Sequence, residues 1–552
     1  MAGSLRSGGQ AVLETLLAWG VRRVFTCPGS TEASFLDATL DHPDFEVVLT
    51  PHESVAVSAA DGYARGTREA AVAYLHTHVG LANALANLNA ARLARSPVIV
   101  LTGLKPARLQ SHRGFTCVPD TGRLAEPYVK HQWQSLRTED LPEDLNRALR
   151  LALTEPSGPV WVGLSQDLMN AACEAPVPDP ARYRPQARTA ADPRQVRDAA
   201  RLLASARRPL LVAGAEVARH GAVAELIALS ERLGAPVVNE DRRTFERPGF
   251  PTSHPHYAGL YDAKRPAVGD RDVILFAGCH CFTEFEVPGR PDVPAAARVI
   301  HLHTDAAEIG AIYGVDVGVV ADERLALAQL LAEIPEPTAQ DLSFHDRLAS
   351  VRAEHLADRG PLPPGRAGVE NVAAVADALA GLVTDDTTVV GDATTSGAIL
   401  LRRLPQDPPH QHHTTSSGSL GWGMGAALGL KLAHPEREVI AVLGDGAFQF
   451  SPQALWVAAR YRIEVTYVVM NNESYAAVGA ALRRYGGTAA ARGTYPGKDL
   501  SGIDVAAIAR GYGVLARRVH HADELPAAMA DARAHPGPAL IEIMTDPDYL
   551  GP

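Results

Sequence analysis

Short β-branched apolar runs alternate with helical patterns in three stretches of the chain, and Pro-rich segments separate the stretches. The first contains VRRVF, FEVVLT, AAVAYL and SPVIVLTG as strands and ends near WVGLSQDL. The second begins at RRPLLVAG, continues through APVVNE, DVILFAG and RVIHLHT, and finishes near Ile334. The third starts at about Val369 and carries TTVVGD, EVIAVLGDG, EVTYVVMNN and PALIEIMT. Strands read as apolar runs with helices between them imply parallel sheets covered on both faces. The predicted class is therefore α/β, with three doubly wound parallel-sheet domains over residues 1–173, 194–334 and 366–552. EAPVPDPARYRPQARTAADP, residues 174–193, reads as an extended linker because repeated proline removes amide donors and prevents helix. PEPTAQD and GPLPPG flank a polar helical segment between the second and third stretches. The first and third stretches are α/β units of similar size and read as related folds.

Length agrees with this division, since 552 residues exceed a single core and suit three units. Hydrophobic residues at 46% and charged residues at 21% fit an ordinary globular chain. The opening residues MAGSLRSGGQ contain no apolar signal core, and the helix LETLLAWG is interrupted by Glu and Gly before it could span a bilayer. A cytoplasmic location is expected. The net charge of −11 includes no basic stripe, which argues against nucleic acid as a partner. Five scattered cysteines make no disulfide framework, and Cys279-His280-Cys281 lacks the spacing of a structural zinc site.

The chemistry concentrates in EVIAVLGDGAFQFSPQALWVAARYRIEVTYVVMNNESYAAV. The run from Val439 to Leu443 reads as a buried parallel strand ending at Gly444-Asp445-Gly446, with Ser451-Pro452 capping and starting a helix. The next strand, Val465 to Met470, ends at Asn471-Asn472. This β–α–β unit sets Asp445 and Asn472 at the carboxyl ends of neighbouring strands, where such sheets collect ligands. A carboxylate, an amide oxygen and a backbone carbonyl form a hard oxygen set suited to Mg²⁺. Taken alone, Gly-Asp-Gly is simply a tight turn after a strand.

The GDG…NN pattern resembles the binding motif of the thiamine-diphosphate (ThDP)-dependent enzymes. The resemblance implies Asp445, Asn472 and the Ser474 carbonyl as metal ligands, with Gly444, Gly446, Ala447 and Tyr475 around the cofactor. It names the three domains pyrimidine-binding, central and diphosphate-binding. FEVVLTPHESVAVSAADGYARGT resembles the family's strand, catalytic glutamate and helix, which makes Glu53 the acid that hydrogen-bonds the aminopyrimidine. SSGSLGWGMGAA resembles the Gly-rich segment that bends the cofactor, implying Gly418 and Leu420. Asp392, Ala393, Thr394 and Thr395 match the loop that holds the diphosphate.

The resemblance spans nearly the whole chain, from VFTCPGSTEASFL to PALIEIMTD, and is strongest to the benzoylformate decarboxylase branch. It implies that Ser30 touches the substrate carboxylate and that His76 is an active-site histidine, whereas alone these would read as a helix cap and a buried histidine. Phe115, Ala477 and Ala481 complete the implied substrate pocket, and the two alanines leave room for a bulky second substrate. Phe285 stands where that branch has a second catalytic histidine, which weakens the case for simple decarboxylation and favours an acetolactate-synthase-like carboligase as the alternative. No FAD is expected, because the Arg-containing segment that helps hold it is not recognisable. His78, His112 and Arg113 read as solvated loop residues. A 2-oxo acid substrate, possible transfer to an aldehyde or ketone acceptor, and a homodimer or homotetramer with sites between subunits are the remaining implications. A non-catalytic scaffold of the same fold is a further reading, opposed by Glu53, Asp445 and Asn472.

Overall fold

The computed structural model of the chain describes residues 5–184, 188–240, 245–283, 292–336, 349, 352–353, 370–415 and 417–546. Most of the expected polar helical segment after Pro335, and Val369, lie outside the described residues.

Three six-stranded parallel sheets carry the structure. The first consists of β1 (Arg23–Cys27), β2 (Glu46–Leu49), β3 (Ala71–His76), β4 (Val98–Leu104), β5 (His131–Gln134) and β6 (Val160–Ser165), in the spatial order 2-1-3-4-6-5. The second consists of β7 (Pro209–Ala213), β8 (Val237–Asn239), β9 (Tyr257–Leu260), β10 (Val273–Ala277), β11 (Arg298–His303) and β12 (Val317–Val320), in the order 9-8-7-10-11-12. That is the doubly wound order of a dinucleotide-binding sheet. The third consists of β13 (Thr387–Asp392), β14 (His412–His413), β15 (Glu438–Gly444), β16 (Val465–Asn471), β17 (Leu515–Val519) and β18 (Ala539–Met544), in the order 14-13-15-16-18-17. Its connectivity repeats that of the first sheet, strand for strand. Among the described residues no helix is long and apolar enough to cross a membrane.

The central strands are buried along their length, as Val98–Leu104 and Val465–Asn471 illustrate, because helices cover both faces. Helix α1 (Glu53–Thr67) of the first unit lies against α3 (Trp422–Ala433) of the third, while α2 (Thr77–Leu93) follows β3. The α1–α3 contact is backbone-close. A Cβ on Gly62 would sit 2.2 Å from the Ala426 carbonyl oxygen, and one on Gly429 would sit 2.0 Å from that of Ala59. Within this seam Asp61 accepts two hydrogen bonds from Arg65 at 2.9 Å and one from the Trp422 indole at 2.7 Å, so a fully buried carboxylate is satisfied. Packing one core across two units fixes the N-termini of both helices, and those termini border the chemistry.

One expectation is corrected here. Ser451-Pro452 does not begin a helix: the short α4 (Asp445–Phe448) follows β15 directly, and α5 (Ala454–Tyr461) starts only after a turn in which the Ala454 amide donates to the Ser451 carbonyl at 3.1 Å.

The central unit contains a buried charge pair with a calculable pH signature. His220 bonds Glu323 through Nδ1, while Nε2 lies 3.4 Å from Glu155 and 4.0 Å from Glu216. Burial opposes its charge, but the hydrogen bonds to Glu155 and Glu323 outweigh burial and raise the imidazolium to about 10. A histidine raised in the fold stabilises fully below its unfolded value of about 6.5 and loses that contribution as pH rises through about 10. His220→Gln should therefore cost on the order of 3–5 kcal/mol at pH 6, as removal of one partner of a buried pair does. The difference from wild type should shrink between pH 7 and 10, as measured by urea denaturation.

Candidate active site

Strand β15 delivers Asp445 to the carboxyl edge of the third sheet, and β16 delivers Asn471 and Asn472 beside it. The two asparagines separate in role. Asn471 donates to Glu542 at 2.7 Å and accepts the Glu473 amide at 2.9 Å, so it belongs to the scaffold. Asn472 turns the other way. Its Oδ1 and the Asp445 Oδ2 accept from the same Ser474 amide, at 3.1 and 3.2 Å, which brings the two oxygens together. The turn that allows this puts Glu473 at φ +51° and is pinned by Tyr475 N–H to the Lys498 carbonyl at 2.7 Å and Leu500 N–H to that of Glu473 at 2.9 Å. A left-handed non-glycine residue at the head of a site is strain of the kind that functional loops retain.

Asp445 is 6% exposed, and burial pushes its carboxyl up to about 6 against the amide hydrogen bonds that lower it. A cation would supply the missing counter-charge. The donor set is oxygen only, as a hard divalent ion requires. Asp445, Asn472, Ser474, Gly444, Gly446, Ala447 and Tyr475 share one small cavity with Ala393, Thr394, Thr395, Leu420 and Ala477. The Ser474 hydroxyl beside it is buried without a hydrogen-bond partner. Space beside Gly444 is open, since a Cβ there would meet nothing within 4 Å. These residues fit a metal-bound diphosphate.

Asp392 does not join them. Its carboxylate is buried and accepts the Gly423 amide at 3.0 Å, holding the first turn of α3. Burial, partly offset by the Gly423 and Gly421 amides, pushes it up to about 6. Strand end and helix start compete for the same carboxylate, and the helix amides win. Gly418, at φ +68°, lies off the cavity wall in the turn before α3. Ala481 is exposed on the helix Ala476–Tyr485.

A second cluster forms at the carboxyl edge of the first sheet. Glu53 opens α1, whose N-cap is His52, with Nδ1 accepting the Ser54 amide at 3.1 Å. Asn83 of α2 donates to Glu53 Oε2 at 3.0 Å. The Cys27 thiol at the end of β1 faces Glu53 and is pushed up to about 11, by burial first and by that carboxylate next. Beside it, His76 Nδ1 meets Thr31 Oγ1 at 2.9 Å and Glu32 Oε2 at 3.0 Å. Glu32 is fully buried and also accepts the Gly29 amide at 2.7 Å. A carboxylate at Nδ1 assigns the proton there and leaves Nε2 free to accept, the tautomer a proton shuttle needs. Ser30 is exposed, and Lys105 Nζ donates to its hydroxyl at 3.2 Å. Phe115 is 87% exposed on a loop, where the Thr116 carbonyl meets His78 Nδ1 at 3.0 Å. Phe285 lies outside the described residues, while His112 and Arg113 are exposed on the same loop as Phe115.

Sequence reasoning missed Glu32, Asn83 and Lys105. Glu32 had a faint signal, an acidic residue three positions after Gly29 and so placed to accept the Gly29 amide. Its role beside His76 is a cross-strand contact that spacing does not announce. The structure supports Glu32 as a positioning residue. Glu32→Gln is expected to lower kcat roughly ten- to a hundredfold, the worth of a charge-assisted hydrogen bond, while leaving ThDP affinity unchanged.

Within one chain the two clusters stay apart. None of Glu53, His76 or Ser30 lines the Asp445 cavity, and a link between their surroundings is the 3.4 Å Ser54–Ser451 hydroxyl contact.

Family models of the thiamine pyrophosphate enzymes match all three units: the N-terminal TPP binding domain over residues 6–124, the central domain over 196–330 and the C-terminal TPP binding domain over 390–543. The chain belongs to the ThDP-dependent enzyme family. It is 30% identical to a benzoylformate decarboxylase of Pseudomonas aeruginosa over 97% of this chain and 98% of that protein. It is also 30% identical to a probable acetolactate synthase large subunit of Methanocaldococcus jannaschii, over 98% and 92% of the respective chains. Among solved structures, the ThDP-dependent 4-hydroxybenzoylformate decarboxylase of Rhodococcus jostii RHA1 superposes with a TM-score of 0.84 at 30% identity, covering 98% of this chain and 99% of that one. These relatives place a ThDP enzyme on this fold and include both decarboxylases and carboligases.

Proposed function

We propose that this ThDP enzyme decarboxylates a 2-oxo acid, with the cofactor held through Mg²⁺. The observation that carries this reading is the buried Glu32 that orients His76 beside Ser30 and Lys105. When bound, ThDP would supply the carbon nucleophile and the electron sink that takes up the bonding pair as CO₂ leaves. Glu53 would exchange a proton with the aminopyrimidine, and Asn83 holds its carboxylate in place. Ser30 and Lys105 receive the substrate carboxylate, the lysine by charge and the serine by hydrogen bond. His76 moves a proton at Nε2. Asp445, Asn472 and the Ser474 carbonyl hold Mg²⁺, and Thr394 and Thr395 offer hydroxyls to the diphosphate.

Because Glu53 does not line the cavity that holds Asp445 in one chain, each complete site is assigned to two copies, Glu53 from one and Asp445 from the other. A catalytically competent monomer in sedimentation experiments would overturn that assignment. A carboligase is the second reading, favoured by Ala477, which borders the cavity with a small side chain, and by the likeness to the acetolactate synthase large subunit. Incubation with pyruvate, benzoylformate and branched 2-oxo acids, with and without an added aldehyde, decides by mass spectrometry. Aldehyde as sole product supports decarboxylation, a coupled product supports ligation, and no turnover of any of them sinks both.

A further inference from the structure

Among the described residues, a cluster of cationic side chains lies where the three units meet. Arg65 and Arg68 from the end of α1, and Arg247 from the loop after β8, wall a cavity of about 320 Å³ whose far side is His413, His434 and Arg437 of the third unit. The same three arginines border a neighbouring cavity of about 480 Å³ between the first and central units, where Glu69, Glu155 and Asp322 supply acidic groups. Arg65 is satisfied by Asp61. The other two are not. Arg247 is 5% exposed, its Nε has no hydrogen-bond partner, and its nearest carboxylate, Glu246 at 3.6 Å, is already engaged by Arg219 at 3.1 Å and Arg65 at 3.4 Å. Arg68 donates to the Ala218 carbonyl at 3.1 Å and meets no carboxylate within ion-pair distance among the described residues. His413 is 2% exposed, with Nδ1 unpartnered. Burial and the surrounding arginines push Arg247 down to about 10 despite Glu246, and Arg68 is lowered for the same two reasons. Among the described residues no acidic side chain lines the first of these cavities, and Arg437 meets only the largely exposed Glu436, at 3.8 Å.

A buried guanidinium without a carboxylate of its own, as in Arg247, is costly unless an anion completes it, and Arg68 is exposed at the mouth of the same cavity. Their planar forks match phosphate oxygens, and a cavity of this size exceeds what one carboxylate would fill. We infer that this junction binds a phosphate-bearing anion, gripped by Arg68, Arg247 and Arg437 with His413 as a neutral partner. The site is separate from the cofactor: Thr388, His434 and Arg437 lie at the amino edge of the third sheet, whereas Asp445 and Asn472 lie at its carboxyl edge. An anion there bridges all three units and stabilises their arrangement by mass action.

The test is calorimetric titration of the full-length enzyme, saturated with ThDP and with Mg²⁺ in excess, using inorganic diphosphate, ADP and sulfate at physiological ionic strength. Saturable binding of one diphosphate or ADP per chain is expected, weakened roughly ten- to a hundredfold in Arg247→Gln and Arg68→Gln with ThDP occupancy unchanged. ADP binding more tightly than diphosphate identifies a nucleotide ligand, and equal affinities identify the phosphate moiety alone. Arg437→Gln, whose side chain is a quarter exposed, serves with the exposed Arg68→Gln as the probe if the buried Arg247 variant does not fold. No saturable binding to wild type, or wild-type affinity in the variants, overturns the site.

Discussion

Glu53→Gln is expected to leave ThDP bound with an affinity close to wild type while slowing exchange of the cofactor C2 proton by roughly 10²- to 10⁴-fold, the usual worth of a positioned general acid–base group. The geometry makes the substitution clean. Glu53 opens α1 with its carboxylate already fixed by Asn83 at 3.0 Å, so an amide oxygen can keep that hydrogen bond and the local packing. A Cβ on Gly80 would come within 3.1 Å of Glu53 Cγ, so the side chain has little room to reorient. What the amide lacks is the titrating proton. Proton exchange followed by NMR in deuterated buffer is the measurement, and an unchanged rate would remove Glu53 from the chemistry while leaving the fold untouched.

The reading of Glu53 and Asp445 depended on features that are local in sequence, which is also why much of the fold was legible. The interior strands of the three sheets appear as predominantly apolar runs, as in Val98–Leu104 and Val273–Ala277, because helices cover both of their faces, with single polar positions such as His301 and Glu542. Five of the six edge strands left no such trace. His131–Gln134, Tyr257–Leu260, Val317–Val320, His412–His413 and Leu515–Val519 are short, and several are half-polar, as in the Leu-Ala-Arg-Arg-Val of β17. An edge pairs on one side only, so burial places weaker demands on its sequence. The same division runs through the site. Asp445 and Asn472 end adjacent strands, and their spacing betrays them. Glu32 and Lys105 act on His76 and Ser30 across the sheet, and no spacing encodes that. Asp392 shows the opposite failure: its position after a strand suits a ligand loop, yet the free amides at the start of α3 take its carboxylate. A sequence motif specifies where a side chain begins, while competing donors decide where it ends.

Asp445→Ala should weaken Mg²⁺-dependent ThDP retention by roughly 10²- to 10⁴-fold, as loss of one charged partner from a buried pair does. Equilibrium dialysis of ThDP with and without Mg²⁺ measures it directly. The prediction has a built-in control in the neighbouring asparagine. Asn471 donates to Glu542, which also accepts from the Ala506 amide at 3.0 Å and from Arg518 at 2.9 Å. Asn471→Ala removes one donor from a buried carboxylate and should lower Tm, a cost of about 1–3 kcal/mol, with ThDP retention still dependent on Mg²⁺. Asp445→Ala instead relieves a buried carboxylate that has no cation in the apoprotein, so the apoenzyme should be no less stable than wild type while its response to Mg²⁺ disappears. Retention that survives Asp445→Ala but fails in Asn471→Ala would invert these roles and assign the metal to Asn471. The two variants separate scaffold from ligand because Asn471, the last residue of β16, is turned to Glu542, whereas Asp445 shares the Ser474 amide with Asn472.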